Sequence, residues 1–502
     1  MRFVIFVLLI LINVNLSAQT EYQKFLNRLN IFNSEDQKAE IVDSFMNFAR
    51  SKGIPFIEGD TATFLYRGKT IIVNGKSYNI FGVNLTGDVN LGGELTLQLK
   101  KIPGTDLFAL RYYLEQEARL DYNYVINNVE MITDPENFKT LPWGRIGEVS
   151  EIAMPGFIQP KEIIFTSNIP HGTRVSSVLS YTANSVKTDH NVVVYLPPGY
   201  NENPNEHYPV AYFNDGSFYI SDGFAINILD NLINEKKIKP IIGVFVDYSQ
   251  GNRSKEYAIE PQRYVDFFNT TLVPYIDSNY RTIQDGDNRA VIGLSFGGNI
   301  STLIVNSIKD MYKNCGLHSG AIWPHNFEAQ NKIIQNDWGI KYYLTWGTYE
   351  PGLMELGVTV RDSLEAKGYT NFRWGQYPQG HSMGFWRGVT DNFLEYFFPG
   401  ENATSVNNEN NYTIDDDFSL NQNYPNPFNP ETKISYSLKE AGYVVLKIYD
   451  VLGREIQTLI NTYKSPGNYN EVFNASKLPS GNYFYSLQFG GKFVTKKMSL
   501  IK

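Results

Sequence analysis

The spacing of hydrophobic residues changes several times along the chain. Residues 19–54 carry apolar side chains at helical spacing, as at Phe25 and Leu29, and this pattern predicts a helical N-terminal segment. Across residues 55–150, short stretches of alternating apolar and polar residues are separated by Gly, Pro, Asn and Asp. This alternation predicts an all-β sandwich of roughly 90 residues.

Residues 156–400 follow a different pattern, in which continuous apolar strands alternate with helical stretches. Strands of this kind are buried in a mostly parallel sheet that has helices on both faces. Residues 401–417 contain almost no core-forming side chains and are predicted to be a linker. Residues 418–502 return to alternation with turn signals, which predicts a second small β-sandwich.

The N-terminus predicts export. Arg2 is followed by an apolar run from Phe3 to Ile12 and then by Ser17-Ala18. This run is short for a bilayer span and ends in small residues, so residues 1–18 are predicted to be a removable signal peptide. The alternative is an N-terminal anchor. No later stretch is long and apolar enough to span a membrane, and the mature chain is expected to have no transmembrane segment.

Charge and residue composition exclude several classes of partner and cofactor. The net charge is -8 and no cluster of Lys and Arg occurs, which argues against nucleic acid as a partner. Cys315 is the single cysteine, so disulfides do not stabilise the chain, and it is predicted to be a small core residue. No spacing of His and Cys indicates a metal site, and neither a metal nor a cofactor is predicted.

The stretch AVIGLSFGGNIS contains a Gly-x-Ser-x-Gly motif between a predicted strand and a predicted helix. This context is the nucleophile elbow of α/β-hydrolases, in which a tight turn lifts the serine above the sheet. Gly293 and Gly297 leave room for the turn, and Gly298 is expected to let the helix pack closely on the sheet. The motif predicts Ser295 as a nucleophile, whereas the alternative is a purely structural turn.

A serine nucleophile needs a base and an acid, which follow it in that fold in the order acid, histidine. His381 is the favoured base because it follows the last predicted strand of the domain. His318 is expected to line the site or to pack there, with the role of the base as its alternative, and His325 is expected on the surface. Glu350 lies just after a strand and is preferred as the acid, while Asp362 in a helical stretch stays open as an alternative.

The oxyanion of an ester-cleavage intermediate needs two amide donors. The backbone N–H of Phe296, directly after the nucleophile, is the first candidate. The second is expected in the loop after the strand PVAYF, from Gly216 or Ser217. Asp215 in the same loop is a candidate substrate contact, and its alternative role is to cap the next helix.

Several phrases of residues 160–398 resemble, in chain order, the esterase D-like α/β-hydrolases, which include enterobactin esterases and the first carbohydrate esterase family. They are YLPPGY, YPVAYFNDGSFY, NRSKEY, LVPYIDSNYRT, RAVIGLSFGG, LTWGTYEP and GHSMGFWR. The resemblance implies Ser295, Glu350 and His381 as the triad, and it brings Arg253 and Trp386 to the substrate site. The alternative for Arg253, with Glu256 and Tyr257, is an ion pair that holds its loop.

Two further resemblances concern the flanking segments. GVNLTGDVN, PGTDLFALRYYLEQEARLDYNYVIN and TDPENFKTLPWG are similar to the early-set immunoglobulin-like domains that precede some of these esterases. The C-terminal segment is similar to the sorting domain of the type IX secretion system, with its Tyr424 to Pro430 run and the motif from Asp450 to Glu455. That resemblance implies the type IX machinery as a partner and a secreted or cell-surface location.

The sequence thus predicts an α/β-hydrolase flanked by two small β-sandwiches and acting as a secreted serine esterase. The expected substrates are acetyl or feruloyl esters of polysaccharides. The alternatives are a siderophore esterase and an inactive hydrolase fold that serves as a surface binding protein.

Overall fold

The computed structural model describes residues 19–93, 97–142, 147–403, 418–439, 442–450, 455–489 and 492–502. The predicted signal peptide, most of the predicted linker and part of the sorting motif lie outside these ranges. The chain divides into two compact units. The first comprises the residues up to Asn84, Gln98–Leu114 and Val125–Phe138, and the second comprises Leu85–Leu97, Glu115–Tyr124 and Lys139–Lys502.

The first unit packs two helices and a small antiparallel sheet around one hydrophobic core. The Thr20 hydroxyl caps the first helix by accepting a hydrogen bond from the Gln23 amide over 3.2 Å. Phe25 and Phe45 stack with ring centroids 4.1 Å apart, which joins the two helices. The elements are α1 (Glu21–Leu29), α2 (Glu35–Lys52), β1 (Phe56–Glu58), β2 (Thr61–Arg67), β3 (Thr70–Val73), β4 (Lys76–Asn79), β5 (Val83–Gly87), β6 (Leu97–Lys101), β7 (Leu107–Tyr113), β8 (Arg119–Ile126), β9 (Glu130–Ile132), β10 (Thr140–Pro142) and β11 (Glu148–Ala153), of which β5, β6 and β8 extend into the second unit and β10 and β11 belong to it.

The second unit is built on an eight-stranded sheet. Its strand order is β12-β13-β15-β14-β16-β17-β18-β19. Strand β13 is antiparallel to both of its neighbours, whereas the last six strands in this order are parallel to one another. The elements are β12 (Thr173–Ala183), β13 (Val186–Leu196), β14 (Val210–Asn214), α3 (Gly216–Ser221), α4 (Ala225–Asn234), β15 (Ile242–Val246), α5 (Gln262–Phe267), α6 (Val273–Asn279), β16 (Arg289–Leu294), α7 (Phe296–Val305), β17 (Asn314–His318), α8 (Pro324–Ile334), β18 (Lys341–Gly347), α9 (Pro351–Ala366), β19 (Phe372–Tyr377), α10 (Met383–Trp386) and α11 (Thr390–Phe397).

Both faces of this sheet are buried. Val210 and Tyr212 of β14 belong to one core cluster, and Ala211 and Phe213 belong to another. Because successive side chains of a strand point to opposite faces, the two clusters lie on opposite sides of the sheet. This arrangement explains the continuous apolar runs in the sequence, and it leaves the carboxyl ends of the parallel strands as the edge where polar side chains collect.

The C-terminal residues form two antiparallel sheets, ordered β20-β21-β24 and β23-β22-β25-β26, whose buried side chains share one core. None of the helices in the described part of the chain combines the length and apolarity that a membrane crossing requires. The strands are β20 (Phe418–Leu420), β21 (Glu431–Leu438), β22 (Gly442–Tyr449), β23 (Glu455–Lys464), β24 (Gly467–Asn474), β25 (Gly481–Phe489) and β26 (Lys492–Leu500).

Candidate active site

Ser295 occupies the turn between β16 and α7. Its backbone has φ 55° and ψ -121°, a conformation that L-residues rarely adopt and that the surrounding structure must hold in place. The Ser295 amide donates to the His318 carbonyl over 2.9 Å, and the Ser295 carbonyl accepts from the Ala321 amide over 2.9 Å. These bonds anchor the strained turn to the segment that follows β17, and the serine is only half-buried. The geometry is that of a nucleophile elbow.

The glycines around Ser295 have distinct neighbours. A Cβ atom on Gly293 would overlap the backbone carbonyl of Gly297, so the turn itself excludes any side chain there. A Cβ atom on Gly297 would lie 2.8 Å from Asp215 Oδ2. A Cβ atom on Gly298 would lie 3.0 Å from the Cα atom of Gly320, where α7 packs on the segment after β17. These contacts agree with the roles predicted for the three glycines.

His381 and Glu350 are in contact. His381 Nδ1 lies 3.4 Å from Glu350 Oε2. The Glu350 side chain is almost completely buried, whereas the His381 side chain is 36% exposed. The carboxylate sits at the turn between β18 and α9, and the histidine sits in the loop after β19, the neighbouring strand. A buried carboxylate can therefore orient the partly exposed imidazole of His381.

Backbone contacts join the two turns. The Thr348 amide donates to the Tyr377 carbonyl over 2.8 Å, and the Tyr349 amide donates to the Gln379 carbonyl over 3.1 Å. A Cβ atom on Gly347 would overlap the Gln379 carbonyl, so the strand end at 347 must be glycine for the turns to meet.

The second oxygen of Glu350 has its own partners, which the sequence reasoning missed. Ser319 Oγ donates to Glu350 Oε1 over 2.8 Å, and Trp386 Nε1 donates to Ser319 Oγ over 2.8 Å. The Trp386 ring also meets the His381 ring edge to face, with centroids 4.8 Å apart. Trp386 is only 4% exposed, so its predicted substrate contact is corrected to a contact with the histidine.

Asp362, the alternative acid, lies elsewhere. It is on the exposed side of α9 with a side chain 59% exposed, and Arg361 Nη2 lies 2.7 Å from its Oδ1. A solvated carboxylate paired with its own neighbour does not orient the buried end of a histidine. The geometry favours Glu350.

The loop after β14 brings a candidate oxyanion donor to the serine. Asp215 has φ 64° and Gly216 begins α3 directly after it, while β14 runs parallel to β16, with Phe213 beside Ile292. The Ser217 amide donates to Asp247 Oδ1 over 2.8 Å, which corrects its prediction as an oxyanion donor. The amides of Gly216 and Phe296 are left as the candidate pair.

Asp215 and Arg253 form an ion pair in which the carboxylate is fully buried. Arg253 Nε and Nη2 donate to the two oxygens of Asp215, each over 2.7 Å, and Nη2 also donates to the Leu294 carbonyl over 3.3 Å. Burial raises the pKa of Asp215, and Arg253 offsets part of this rise. Asp215 is fully buried, so its predicted substrate contact is corrected. Arg253, whose side chain is 24% exposed, makes an ion pair as its alternative role required, and its substrate contact stays a prediction. The two residues brace the loop before Gly216 against the strand that carries Ser295.

His318, predicted to line the site, is fully buried. Its ring stacks on Phe393 with centroids 4.1 Å apart, and its nitrogens lie 3.3 Å from the hydroxyls of Thr345 and Thr390. Burial lowers the pKa of His318 to about 3. The prediction that His318 lines the site is therefore wrong, because a buried neutral ring reaches no substrate, whereas the alternative that His318 packs there agrees with its burial.

Cys315 and His325 match their predicted settings. The Cys315 thiol is buried in β17, and burial raises its pKa. His325 is exposed in the irregular first turn of α8. Within the described ranges, no group of three or more His, Cys, Asp or Glu residues has a geometry that could hold a metal ion.

An exposed aromatic surface, also missed from the sequence, lies beside the serine. The Phe296 and Trp323 rings meet edge to face with centroids 5.6 Å apart, and Phe296 directly follows Ser295. Trp323 is 44% exposed and Phe327 is 47% exposed. The available signal was the position of Trp323 shortly after the end of β17, at the carboxyl edge of the sheet where ligands of α/β folds bind.

The fold is that of an α/β-hydrolase. It has a parallel sheet with one antiparallel strand near its edge and a strained serine turn after a central strand. A carboxylate and a histidine follow the last two strands. Residues 183–390 match the family model Esterase ("Putative esterase"), and residues 422–502 match the Secretion system C-terminal sorting domain. The chain therefore carries an esterase-family domain and a type IX sorting domain, and it is a secreted or cell-surface protein.

Several known proteins are similar to parts of this chain. A segment of the chain is 36% identical over 143 residues to the endo-1,4-beta-xylanase/feruloyl esterase of Xylanibacter ruminicola, and covers 26% of this chain but only 19% of that protein. YbbA of Bacillus subtilis is 26% identical over 201 residues, covering 35% of this chain and 78% of YbbA. The ferric enterobactin esterase of Salmonella typhimurium has the same fold, with a TM-score of 0.57, 19% identity, and coverage of 68% of this chain and 94% of that one.

Proposed function

We propose that the chain is a serine carboxylic ester hydrolase with Ser295 as nucleophile, His381 as base and Glu350 as the acid that orients the base. The contact between His381 Nδ1 and Glu350 Oε2 is the observation that carries the proposal, and it lies after β18 and β19 of the sheet whose strand β16 leads into the Ser295 turn. A histidine oriented by a carboxylate is the base that a strained, half-buried serine needs, because an unactivated hydroxyl is a poor nucleophile.

The proposed reaction has two steps. Ser295 Oγ attacks the ester carbonyl while His381 Nε2 takes the hydroxyl proton, and Glu350 stabilises the imidazolium that forms. The amides of Phe296 and Gly216 donate to the oxyanion. The tetrahedral intermediate collapses, the alcohol leaves with the proton from His381, and an acyl-enzyme remains. A water molecule, deprotonated by His381, then releases the acid and restores Ser295.

The proposed substrate is an acylated polysaccharide, with an aromatic acyl group such as feruloyl preferred over acetyl. The exposed Trp323 and the half-buried Phe296 offer apolar faces next to Ser295, and aromatic rings pack well on such faces. The relative from Xylanibacter ruminicola bears the name feruloyl esterase, and the sorting domain takes this protein outside the cell, where polysaccharides are met. A cyclic siderophore ester is the competing substrate.

The flanking segments are proposed to be accessory. We infer an early-set immunoglobulin-like fold for residues 55–150 and a small β-sandwich for residues 418–502, supported by their antiparallel pairings and, in the latter, by one core shared between two sheets. The first is proposed to support the hydrolase and the second to serve as an export address.

Ser295→Ala tests the mechanism with short p-nitrophenyl esters. We expect the variant to lose nearly all of kcat, because the residual catalysis comes only from binding and the oxyanion donors. Ser307→Ala is the matched control, since Ser307 is exposed just beyond the other end of α7. Equal rates for Ser295→Ala and the unmodified protein would contradict the proposal and would favour an inactive binding protein.

The substrate is tested with feruloylated oligosaccharide, acetylated xylan and a cyclic catecholate ester, on the unmodified protein and on Trp323→Ala. We expect the feruloylated substrate to have the highest kcat/KM and Trp323→Ala to lower that value by about tenfold, with less effect on acetyl esters. A preference for the catecholate ester would replace the polysaccharide assignment.

A further inference from the structure

The loop that carries His381 is attached to residues far upstream in the chain. The Arg119 amide donates to the Pro378 carbonyl over 3.4 Å, and Arg119 forms an isolated β-bridge with Gln379. On the other side of the site, the Tyr349 hydroxyl donates to Glu115 Oε2. Both turns of the His381–Glu350 pair are therefore tied to the short segment from 115 to 119.

The Arg119 side chain strengthens this attachment directly beside the histidine. It is fully buried, and Nη1 donates to Ser382 Oγ over 3.1 Å. A Cβ atom on Gly384 would overlap the guanidinium group, so the loop backbone lies against it. Asp121 and Glu151 lie 2.6 and 2.7 Å from Nη2 and balance the charge. The planar guanidinium group of Arg119, with its charge balanced, thus contacts Ser382, the residue that follows His381.

Asp88 contacts the residue that precedes His381. A Cβ atom on Gly380 would overlap the Asp88 carboxyl group, which fills the space beside the loop. Asp88 Oδ2 accepts a hydrogen bond from the Asp121 amide over 3.0 Å, which fixes the carboxyl in place. Burial, with the negative charge of Asp121, raises the pKa of Asp88 to about 7.

We propose that Arg119 and Asp88 are positioning residues that hold the 378–384 loop so that His381 Nδ1 faces Glu350. The inference rests on the proposed function. Neither side chain touches the reacting atoms, since they act through Ser382 and Gly380 on the two sides of the histidine. Catalytic groups must be held within about 0.5 Å of the productive geometry, so a small shift of this loop weakens both proton transfer and the contact with Glu350.

Arg119→Lys is the central test because it keeps the charge and removes the planar fork. A displacement of about 1 Å costs on the order of 10²-fold, and we expect kcat to fall by about that factor with KM unchanged. The acid limb of the pH profile of kcat/KM should move to lower pH, because the imidazolium loses part of its stabilisation by Glu350. Asp88→Ala should act in the same direction, and Asp88→Asn, which keeps the shape and the acceptor, should retain most of kcat.

Arg289→Lys is the matched control. Arg289 is also a buried arginine in an ion pair, with Asp277, and it lies at the opposite end of β16 from Ser295. We expect Arg289→Lys to lower the midpoint of thermal unfolding without changing kcat or the acid limb. If Arg119→Lys behaves in the same way, its role is only structural and the inference is overturned, while the esterase assignment stands.

Ser382→Ala covers the case in which Arg119→Lys does not fold. It removes only the hydroxyl that accepts the hydrogen bond from Arg119. A lower kcat with a displaced acid limb supports the inference, and an unchanged kcat overturns it. An active Ser295→Ala variant would instead overturn the proposed function, whatever the Arg119 variants do.

Discussion

Ser319 Oγ donates a hydrogen bond to Glu350 Oε1 over 2.8 Å, on the opposite side of the carboxylate from His381. The two oxygens of Glu350 thus have separate partners, and the carboxylate cannot turn without losing one of them. The same hydroxyl accepts from Trp386, whose ring meets the His381 ring. Ser319 therefore links the carboxylate and the tryptophan that both contact the histidine.

Ser319→Ala should lower kcat by about tenfold, because a hydrogen bond to a charged group contributes ~1.5–3 kcal/mol and Glu350 is buried. KM should change little, since Ser319 is buried and does not reach substrate. Steady-state kinetics on a p-nitrophenyl ester measures both constants. Ser363→Ala is the control, because Ser363 is a half-buried serine of α9 whose hydroxyl donates only to the Thr359 carbonyl. An unchanged kcat in Ser319→Ala would show that His381 alone fixes the carboxylate.

Glu350→Gln should reduce kcat by about 10⁴-fold, the loss seen when the orienting carboxylate of a serine triad is replaced by its amide. The amide keeps the shape of the side chain but cannot stabilise the imidazolium. Asp362→Asn is the matched control, because Asp362 is a solvated carboxylate on α9 and should leave kcat unchanged. A large loss of kcat in Asp362→Asn, with kcat unchanged in Glu350→Gln, would make Asp362 the acid.

His318→Gln tests the buried histidine through the pH dependence of stability. The unfolded state binds a proton below pH 6.5, whereas the folded state excludes it until pH falls to about 3. The folded state therefore loses stability as pH falls through this window, and the loss is absent above it. His318→Gln should be less stable than the unmodified protein above the window, because it loses the stack on Phe393, and its unfolding midpoint should fall less steeply within the window. Parallel curves of midpoint against pH would contradict this account.

Gly293→Ala and Gly298→Ala should differ although they flank the same serine. The added methyl at Gly293 overlaps the Gly297 carbonyl, a backbone group that cannot move without distorting the turn. We therefore expect Gly293→Ala to lower the free energy of unfolding by about 3 kcal/mol and to lose most of the activity. At Gly298 the methyl lies 3.0 Å from Gly320, and the cost is offset by the ~1 kcal/mol that alanine gains over glycine inside a helix. Denaturant unfolding measures both changes, and equal losses would contradict the assigned contacts.

The sequence predicted the elements of the hydrolase domain and the chain order of its candidate triad. Alternating and continuous apolar runs report the local environment of each strand, so β14 to β18 could be located from the residues alone. The steric need at Gly293 is equally local, because a Cβ atom there would overlap the Gly297 carbonyl in the same short stretch. These features depend on neighbours in the sequence, and their chemistry can be inferred without coordinates.

The errors concern side chains whose surroundings come from distant segments. His318 ends a strand at the carboxyl edge of the sheet, and only the packing of Phe393 and Thr390 decides that it is buried. The Ser217 amide was predicted as an oxyanion donor, but it donates its hydrogen bond to Asp247, which follows a different strand. Periodicity specifies which face a residue occupies but not which partner reaches it.

Sequence alone predicted an α/β-hydrolase fold, a serine in a tight strand-to-helix turn and an export address, because each follows from local patterns of residues along the chain. Tertiary structure alone decided how the histidine is held. Arg119 and Ser382 are 263 residues apart in the chain, and their hydrogen bond exists only because the folded backbone brings β8 to the loop after β19. Non-local contacts of this kind depend on the packing of whole elements, and no local spacing of residues encodes them.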